Sequence, residues 1–529
     1  MRIACRLLAE PAPAAWPGGL LFPLLERLLS VGFVVGAQSE RAETPSLYVR
    51  QPRSDERRTA GLGSGPHLCV TTPGEPGAPP LPSQVQFTGD AEVPQPFRGR
   101  RVTTGVAADW SGIAVQPGER VLASVDRTPV WTVRETPGGP QFRSSLALPS
   151  LAVDGGFGDV FTGDAFLGLL PLIHFLRRMD AQPWRGPALR AAYIIDDPNL
   201  HWPRYGYVDY RAVAERAQRE NYHVAFATMP IDTWFTSPAA ARVFREHPRA
   251  LSLLVHGNNH LKDELARHYP AEARIALLRQ ALRRVERLER KSGLRVDRVM
   301  VPPHGACSAE MLAALPRCGF EAACVSSGSL RAHNPGRPWT RTLGYLPSDT
   351  IEDCSVLPRW ALAPGAENTL LVAAYLGQAI VLRGHHRDLR HGLEVLDEAA
   401  AAINRLGEVR WSGLAQIARG NYRWRLEGTT LRVQAFGSAL DVEPPAGASS
   451  VAIDWTGDSD DGSWQLRFAD DSVAHALSGE AVPLRVGGAL HIQRLRPPPV
   501  VAPRRESSIS ATAIARRLLT EARDRLWVG

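Results

Sequence analysis

Between residues 190 and 420 the chain alternates short apolar runs with longer amphipathic stretches. The runs fall at 191–195 (AAYII), 223–228 (HVAFAT), 251–255 (LSLLV), 298–301 (RVMV), 322–326 (AACVS), 354–358 (CSVLP) and 379–382 (AIVL). Between most of them lie segments such as YRAVAERAQREN and ARIALLRQALRRVERLERKSG, in which Leu, Ile and Val return every three or four residues. That spacing predicts helices with one apolar face. Runs so short and so uniformly apolar predict strands buried on both faces, and strands separated by helices pair in parallel. Seven such strands favour a closed barrel over an open sheet.

The flanks have a different texture. Residues 421–496 alternate apolar and polar positions between Gly and Asp turns (LRVQAFG, SVAIDWTG, WQLRFADDS), which predicts a small antiparallel, sandwich-like β domain. Residues 497–529 read as a Pro-rich linker and one closing amphipathic helix. Upstream, residues 1–150 read as a small α/β domain: an amphipathic helix leads into GFVVG, and RVLASVDRTPVWTVRE gives two strands about a turn. Residues 52–96 have the Pro, Gly, Ser and Arg composition of loops, and 151–189 predict a connecting helix.

Composition narrows the classes. A chain of 529 residues exceeds one hydrophobic core and implies several domains. The net charge of +7 comes from scattered Arg rather than a basic stripe interleaved with aromatics, so no nucleic-acid partner is expected. Six cysteines without C-x-x-C or zinc-finger spacing suit a reducing compartment. The apolar N-terminal stretch is broken by Glu26 and Arg27, too soon for a membrane span or a secretory core, and a cytoplasmic protein is predicted. GLGSGP and GGFGD lack the strand, spacing and helix of a dinucleotide site.

Four polar clusters stand directly after four of the predicted strands: Asp196-Asp197 after AAYII, HGNNH after LSLLV, PPHGA after RVMV and RGHH after AIVL. In parallel α/β architectures the carboxyl ends of the strands converge on one face, which brings these clusters together. His256 and His260 with one carboxylate, Asp197 or Asp196, make a three-ligand site with an open position, the arrangement of catalytic zinc. Two adjacent carboxylates in a low-dielectric mouth would otherwise share a proton; a divalent cation lets one bind while the other stays free as a base. His201, Trp202, Tyr205 and Tyr207 follow the Asp pair on the same rim, and Asp232 ends the second run nearby. Their aromatic faces and polar tips suit sugar rings.

IIDDPN, VHGNNH, VPPHGA and IVLRGHH, in that order, resemble the motifs of the polysaccharide deacetylases of the NodB homology type, a carbohydrate esterase family. The resemblance covers residues 190–420 and implies a distorted seven-stranded (β/α) barrel. It makes Asp196 the general base, Asp197, His256 and His260 the ligands of a divalent metal, most simply zinc, and His385 or His386 the general acid. The Arg that the family places in its third motif is missing here: Val301 and Pro302 stand there, followed by Pro303, His304 and Gly305. His304 could replace that Arg electrostatically, add a ligand or shape the pocket. SVLPRW could stand in for the fourth motif, with Trp360 as a sugar-stacking wall and Arg359 as the partner of a carboxylate.

The expected fold is therefore α/β, the barrel lying between an N-terminal α/β domain and a small C-terminal β domain. The expected function is metal-dependent deacetylation of an N-acetylated saccharide. The alternatives are a glycosidase, which needs two carboxylates facing each other roughly 5–9 Å apart, and a non-catalytic carbohydrate-binding or scaffold protein, which the missing Arg favours.

Overall fold

All seven apolar runs form strands of one sheet in the computed structural model of the protein. The structure describes residues 4–9, 21–29, 32–35, 45–50, 65–71, 80–107, 112–363 and 365–495, apart from 147, 150, 153, 162–165, 458–461 and 486–487, together with helical positions 515, 519 and 522. The 497–514 linker, most of the closing helix, and the loops at 52–64 and 72–79 lie outside the described residues. Contacts divide the chain into two compact units, residues 1–183 with 340–346 and 365–376, and residues 184–339 with 347–364 and 377–529.

In the second unit the strands are β1 (Leu189–Asp196), β2 (Val224–Thr228), β3 (Leu251–Val255), β4 (Val299–Met300), β5 (Ala322–Cys324), β6 (Cys354–Leu357) and β7 (Ile380–His385). They pair in parallel in the order β6-β5-β4-β3-β2-β1-β7. Three residues past β6, Trp360–Ala361 pairs in parallel with Leu382 and Arg383 of β7. One segment, 354–361, therefore bonds to β5 at its start and to β7 at its end. Pro358, which has no amide N–H, lies where it changes partner.

One face of this curved sheet carries a dry cluster that includes Ala192 and Ile194 of β1, Ala225 and Ala227 of β2, Leu254 of β3 and Leu357 of β6, plugged by Leu414 and Ile417 of the helix Leu414–Arg419. Side chains alternate along a strand, so positions two residues on stay on the same face. Asp196 follows Ile194, His256 follows Leu254 and Arg359 follows Leu357. The periodicity that packs the interior thus also aims these three polar side chains inward at the carboxyl ends of their strands.

The connecting helices carry their own start and stop signals. In α1 (Tyr210–Glu220) the Asp209 carboxylate accepts from the Arg211 and Ala212 amides, and Asn221 ends the helix at φ 53°. In α2 (Pro238–Glu246) the Ser237 hydroxyl accepts from the Ala240 amide. α3 (Ala271–Ser292) stops at Gly293, φ 69°. Its arginines range from exposed to half-buried, except Arg284, which is buried.

The same unit ends in two four-stranded sheets that share one apolar cluster, with Leu431, Val433 and Ile453 from one and Trp464, Leu466 and Ile492 from the other. The pairing is not wholly antiparallel as expected: Thr430–Ala435 and Ser450–Trp455 run parallel. Alternation fixes which side chains face in, and it is identical for both directions.

The first unit contains a nine-stranded mixed sheet. Two of its strands, His67–Thr71 and Pro80–Phe87, lie inside the stretch expected to be loop. Their Pro- and Gly-rich flanks hid short runs such as HLCV, of which all four residues are buried. The helix Leu170–Met179 packs on this sheet through His174 and Phe175, whose rings meet Trp131 and Phe142. Among the described residues Cys307, Cys318 and Cys324 are free thiols, and no described helix is long and apolar enough to cross a membrane.

His223, at the entrance to β2, is buried with Nδ1 donating to the Arg249 carbonyl at 2.9 Å and Nε2 2.9 Å from the Ser252 hydroxyl. Burial pushes its pKa down to about 4 against a partly opposing hydrogen bond. The folded chain therefore stays unprotonated at His223 while the unfolded chain takes up a proton below pH 6.5. Stability from this residue is complete above pH 6.5 and falls by about 3 kcal/mol as pH drops to 4. Denaturant unfolding of His223→Gln between pH 7 and 4.5 is expected to show a shallower acid loss than the parent chain.

Candidate metal centre

β1 ends with Asp196 inside the sheet, and the next residue turns sharply. Asp197 has φ 81°, a left-handed conformation costing on the order of 1–3 kcal/mol for a residue other than glycine. The turn brings its Oδ1 to 3.0 Å from His260 Nε2 and 3.3 Å from His256 Nε2. His260 is itself at φ 55°. The three side chains offer ligand atoms that all lie within 4.8 Å of one another.

His256 donates from Nδ1 to the Val301 carbonyl at 2.8 Å, which leaves Nε2 with its lone pair toward Asp197. Two imidazole acceptors and a carboxylate at these distances repel unless a cation or proton lies among them. Burial works against ionisation of Asp197, but the hydrogen bonds and charge of His256 and His260 hold its carboxyl well below the usual range. Burial likewise opposes charge on His256, yet Asp197 and Asp196 together raise its pKa. Ligand atoms about 2.0–2.2 Å from a tetrahedral zinc sit about 3.3 Å apart, so the donor spacing fits such an ion.

The loop carrying the histidines is held from beneath by residues that motif reading passed over. The buried Glu264 carboxylate accepts from the Asn258 and Asn259 amides at 2.8 Å and from the His260 amide at 3.2 Å. Arg284 of α3 donates to the Asn258 side-chain oxygen at 2.6 Å and to that of Asn259 at 2.9 Å. Gly257 sits at φ 64°, where a Cβ would lie 2.6 Å from Pro303 and 2.8 Å from Glu264. Glu264 follows the H-x-x-x-H spacing by four residues, and its signal was a lone acid amid turn formers.

Asp196 is buried, with Oδ2 3.4 Å from Arg359 Nη1; Arg359 is buried as well. Asp196 Oδ1 has no hydrogen-bond partner within the described residues. The guanidinium that faces Asp196 comes from two residues past β6. His304 lies at φ 57° with its ring 5.1 Å from that of His260, and burial together with the charge of His260 lowers its pKa.

β7 pairs with β1 so that His385 is level with Asp196. His385 is half-buried and beside Asp388, whereas His386 is buried, with Tyr207 stacked on it at 6.0 Å and Tyr205 edge-on at 5.4 Å. Trp202 is exposed on the rim. His201 is buried beneath it in the loop, donating from Nε2 to the Asp232 carbonyl at 2.8 Å, so it braces the rim rather than lining it. Asp232 is buried too, not exposed on the rim. Trp360 is half-buried in the short strand against β7.

No protein-family model matches the chain, and no curated protein matches it in sequence. Among solved structures the chain is similar to Agd3, a carbohydrate deacetylase, with 11% identity over 92% of this chain and 99% of that one at a TM-score of 0.50. A family 4 carbohydrate esterase from Streptomyces lividans, solved with acetate, matches 45% of this chain and 97% of its own at 11% identity and a TM-score of 0.28. The Agd3 overlay bears on the fold over nearly the whole chain.

Because Glu264 holds the ligand loop without touching the ligand position, Glu264→Gln is expected to weaken zinc binding roughly 10- to 100-fold in a chelator competition. Circular dichroism should stay that of the parent chain.

Proposed function

We propose that this chain, which shares its fold with a carbohydrate deacetylase, is a metal-dependent hydrolase that removes acetyl groups from an N-acetylated saccharide. The observation that carries this reading is the convergence of Asp197, His256 and His260 on one point beside a buried, unbonded carboxylate oxygen of Asp196. Asp197, His256 and His260 hold a divalent cation, most simply zinc, which supplies Lewis acidity, polarising the acetamide carbonyl and easing loss of a proton from water at neutral pH.

Asp196 Oδ1 accepts the proton of the attacking water as its oxygen bonds to the acetamide carbon. Arg359 keeps the other carboxylate oxygen oriented and the group ionised. His386, held in a fixed plane by Tyr205 and Tyr207, donates a proton to the departing amine nitrogen as the carbon–nitrogen bond breaks, leaving acetate and a free amino sugar. The burial of His386 against Tyr205 and Tyr207 favours it over the half-buried His385 for this role. Tyr207, Trp202, His304 and Trp360 bound the substrate position.

The barrel is proposed to be a distorted seven-stranded one closed through residues 354–361, a reading supported by that segment's bonds to both β5 and β7. An α/β domain over 1–150, a connecting segment over 151–189, the barrel over 190–420 and a β domain over 421–496 complete the proposed division. Arg359 beside Asp196 speaks against a non-catalytic relative, since the positive partner of the base is present after all. Adjacent carboxylates on one strand end do not face each other across a glycosidic bond, which disfavours a glycosidase.

His256→Ala and His260→Ala are expected to lose the ion, whereas Asp196→Ala keeps it and loses acetate release from N-acetylated oligomers by about 10²–10⁴-fold. Gly206, φ 52°, lies so that a Cβ would fall 2.2 Å from His386 Nδ1. Gly206→Ala should therefore lower turnover at full metal content. Ion content by atomic absorption with an acetate assay checks both; acetate release at parental rate by Asp196→Ala contradicts the mechanism.

A further inference from the structure

A cavity of about 250 Å³ lies between the segment 266–268, the start of α3, the segment 308–310 and residues 333–337; none of the proposed metal ligands lines it. Three guanidinium groups, Arg267, Arg274 and Arg337, and two imidazoles, His268 and His333, line it against one carboxylate, Glu310. The volume is below the roughly 300–1,000 Å³ of a site for a whole small molecule, so the cavity suits one charged group.

Its walls are fixed to one another by hydrogen bonds. Leu265 and Cys307 form a parallel bridge, and the Ser308 amide donates to the Leu265 carbonyl at 2.9 Å. The Asn334 side chain ties in the third wall. Its oxygen accepts from the Ala309 amide at 2.8 Å, and its nitrogen donates to the Cys307 carbonyl at 3.0 Å and to the Leu330 carbonyl at 2.8 Å. The buried Ser308 caps the helix Ala309–Arg317, its hydroxyl accepting from the Met311 amide at 3.1 Å. The first turn of that helix lines the cavity and adds partial positive charge to it.

The cations are incompletely neutralised. Arg267 donates to the Lys262 carbonyl at 2.7 and 3.1 Å and Arg274 to the Tyr269 carbonyl; among the described residues neither forms an ion pair. Arg337 is paired with Glu352 at 2.8 Å, and His333 donates from Nδ1 to the Ser329 carbonyl at 2.9 Å. Glu310 is engaged at its own helix start: its own amide and the Ser308 hydroxyl hold its carboxyl below the usual range, and the charges of Arg274 and His268 add to this. Like charges gathered around a partly shielded cavity repel one another more than in open water, and an anion among them removes that repulsion.

We infer that this cavity binds an oxyanion, a phosphate or carboxylate group, held by Arg267 and Arg274 with His268, His333 and Arg337 around it. Planar guanidinium groups bond such oxygens in pairs, which gives the site geometric as well as electrostatic selectivity. Free phosphate and an acidic group carried by a saccharide share this chemistry. The site stands independently of the deacetylase reading, since none of these residues is assigned to the metal or to the reaction.

The test is calorimetric titration of the full-length, zinc-loaded chain carrying Asp196→Ala, at fixed ionic strength. The probes are inorganic phosphate, N-acetylglucosamine and N-acetylglucosamine 6-phosphate. Arg267→Gln with Arg274→Gln is expected to weaken phosphate binding at least about tenfold, with zinc content, circular dichroism and affinity for the neutral sugar unchanged. Glu310→Gln, which removes the carboxylate from the lining, is expected to tighten phosphate binding about two- to fivefold. Sugar phosphate bound more tightly than phosphate, with the gain lost in the double variant, identifies a saccharide-borne group. Equal affinities that both fall in the double variant identify the free ion. No saturable phosphate binding by the chain with both arginines intact, an unchanged affinity in the double variant, or weaker binding in Glu310→Gln overturns the site.

Discussion

One carboxylate oxygen, Asp197 Oδ1, lies 3.0 and 3.3 Å from two imidazole nitrogens that arrive from a different strand. A carboxylate oxygen and two imidazole nitrogens this close hold together only with a cation or a shared proton among them, and the surrounding structure keeps them there. Asp197 and His260 occupy left-handed backbone conformations, and Glu264 and Arg284 tie down the amides and side chains of the loop between the histidines. The strain is local, and buried hydrogen bonds hold it in place.

The neighbouring carboxylate has the opposite requirement. Asp196 has a long contact with Arg359, and its other oxygen is unbonded among the described residues. Adjacent residues thus divide two tasks because a strand ends between them: Asp196 obeys the sheet's alternation and points inward, while Asp197 turns out of it. The segment that brings Arg359 to this position is the one that bonds to both β5 and β7. Completing the sheet and placing Arg359 against Asp196 are one structural event.

Much of this was legible in the residues. Seven uniformly apolar runs gave the strands, and the polar clusters at their ends gave the three side chains, Asp197, His256 and His260, that converge, because parallel strands share a carboxyl-terminal face. The parity of Ala192, Ile194 and Asp196 was readable as well. Other features depend on contacts distant in sequence. Glu264 and Arg284 look like ordinary surface charges until the fold buries them under the histidine loop. That Arg359 meets a carboxylate was legible in SVLPRW; that the carboxylate is Asp196 follows from the pairing of 354–361 with both neighbours. The parallel ladder in the C-terminal sheets escaped for another reason: alternation records burial, not strand direction.

The proposed chemistry requires one cation gripped jointly by Asp197, His256 and His260. Anomalous diffraction at the zinc edge from crystals of the zinc-loaded protein locates it. A single strong peak is expected about 2.0–2.2 Å from Asp197 Oδ1, His256 Nε2 and His260 Nε2. A fully occupied ion elsewhere, or a loaded protein with no peak among these three atoms, would contradict it.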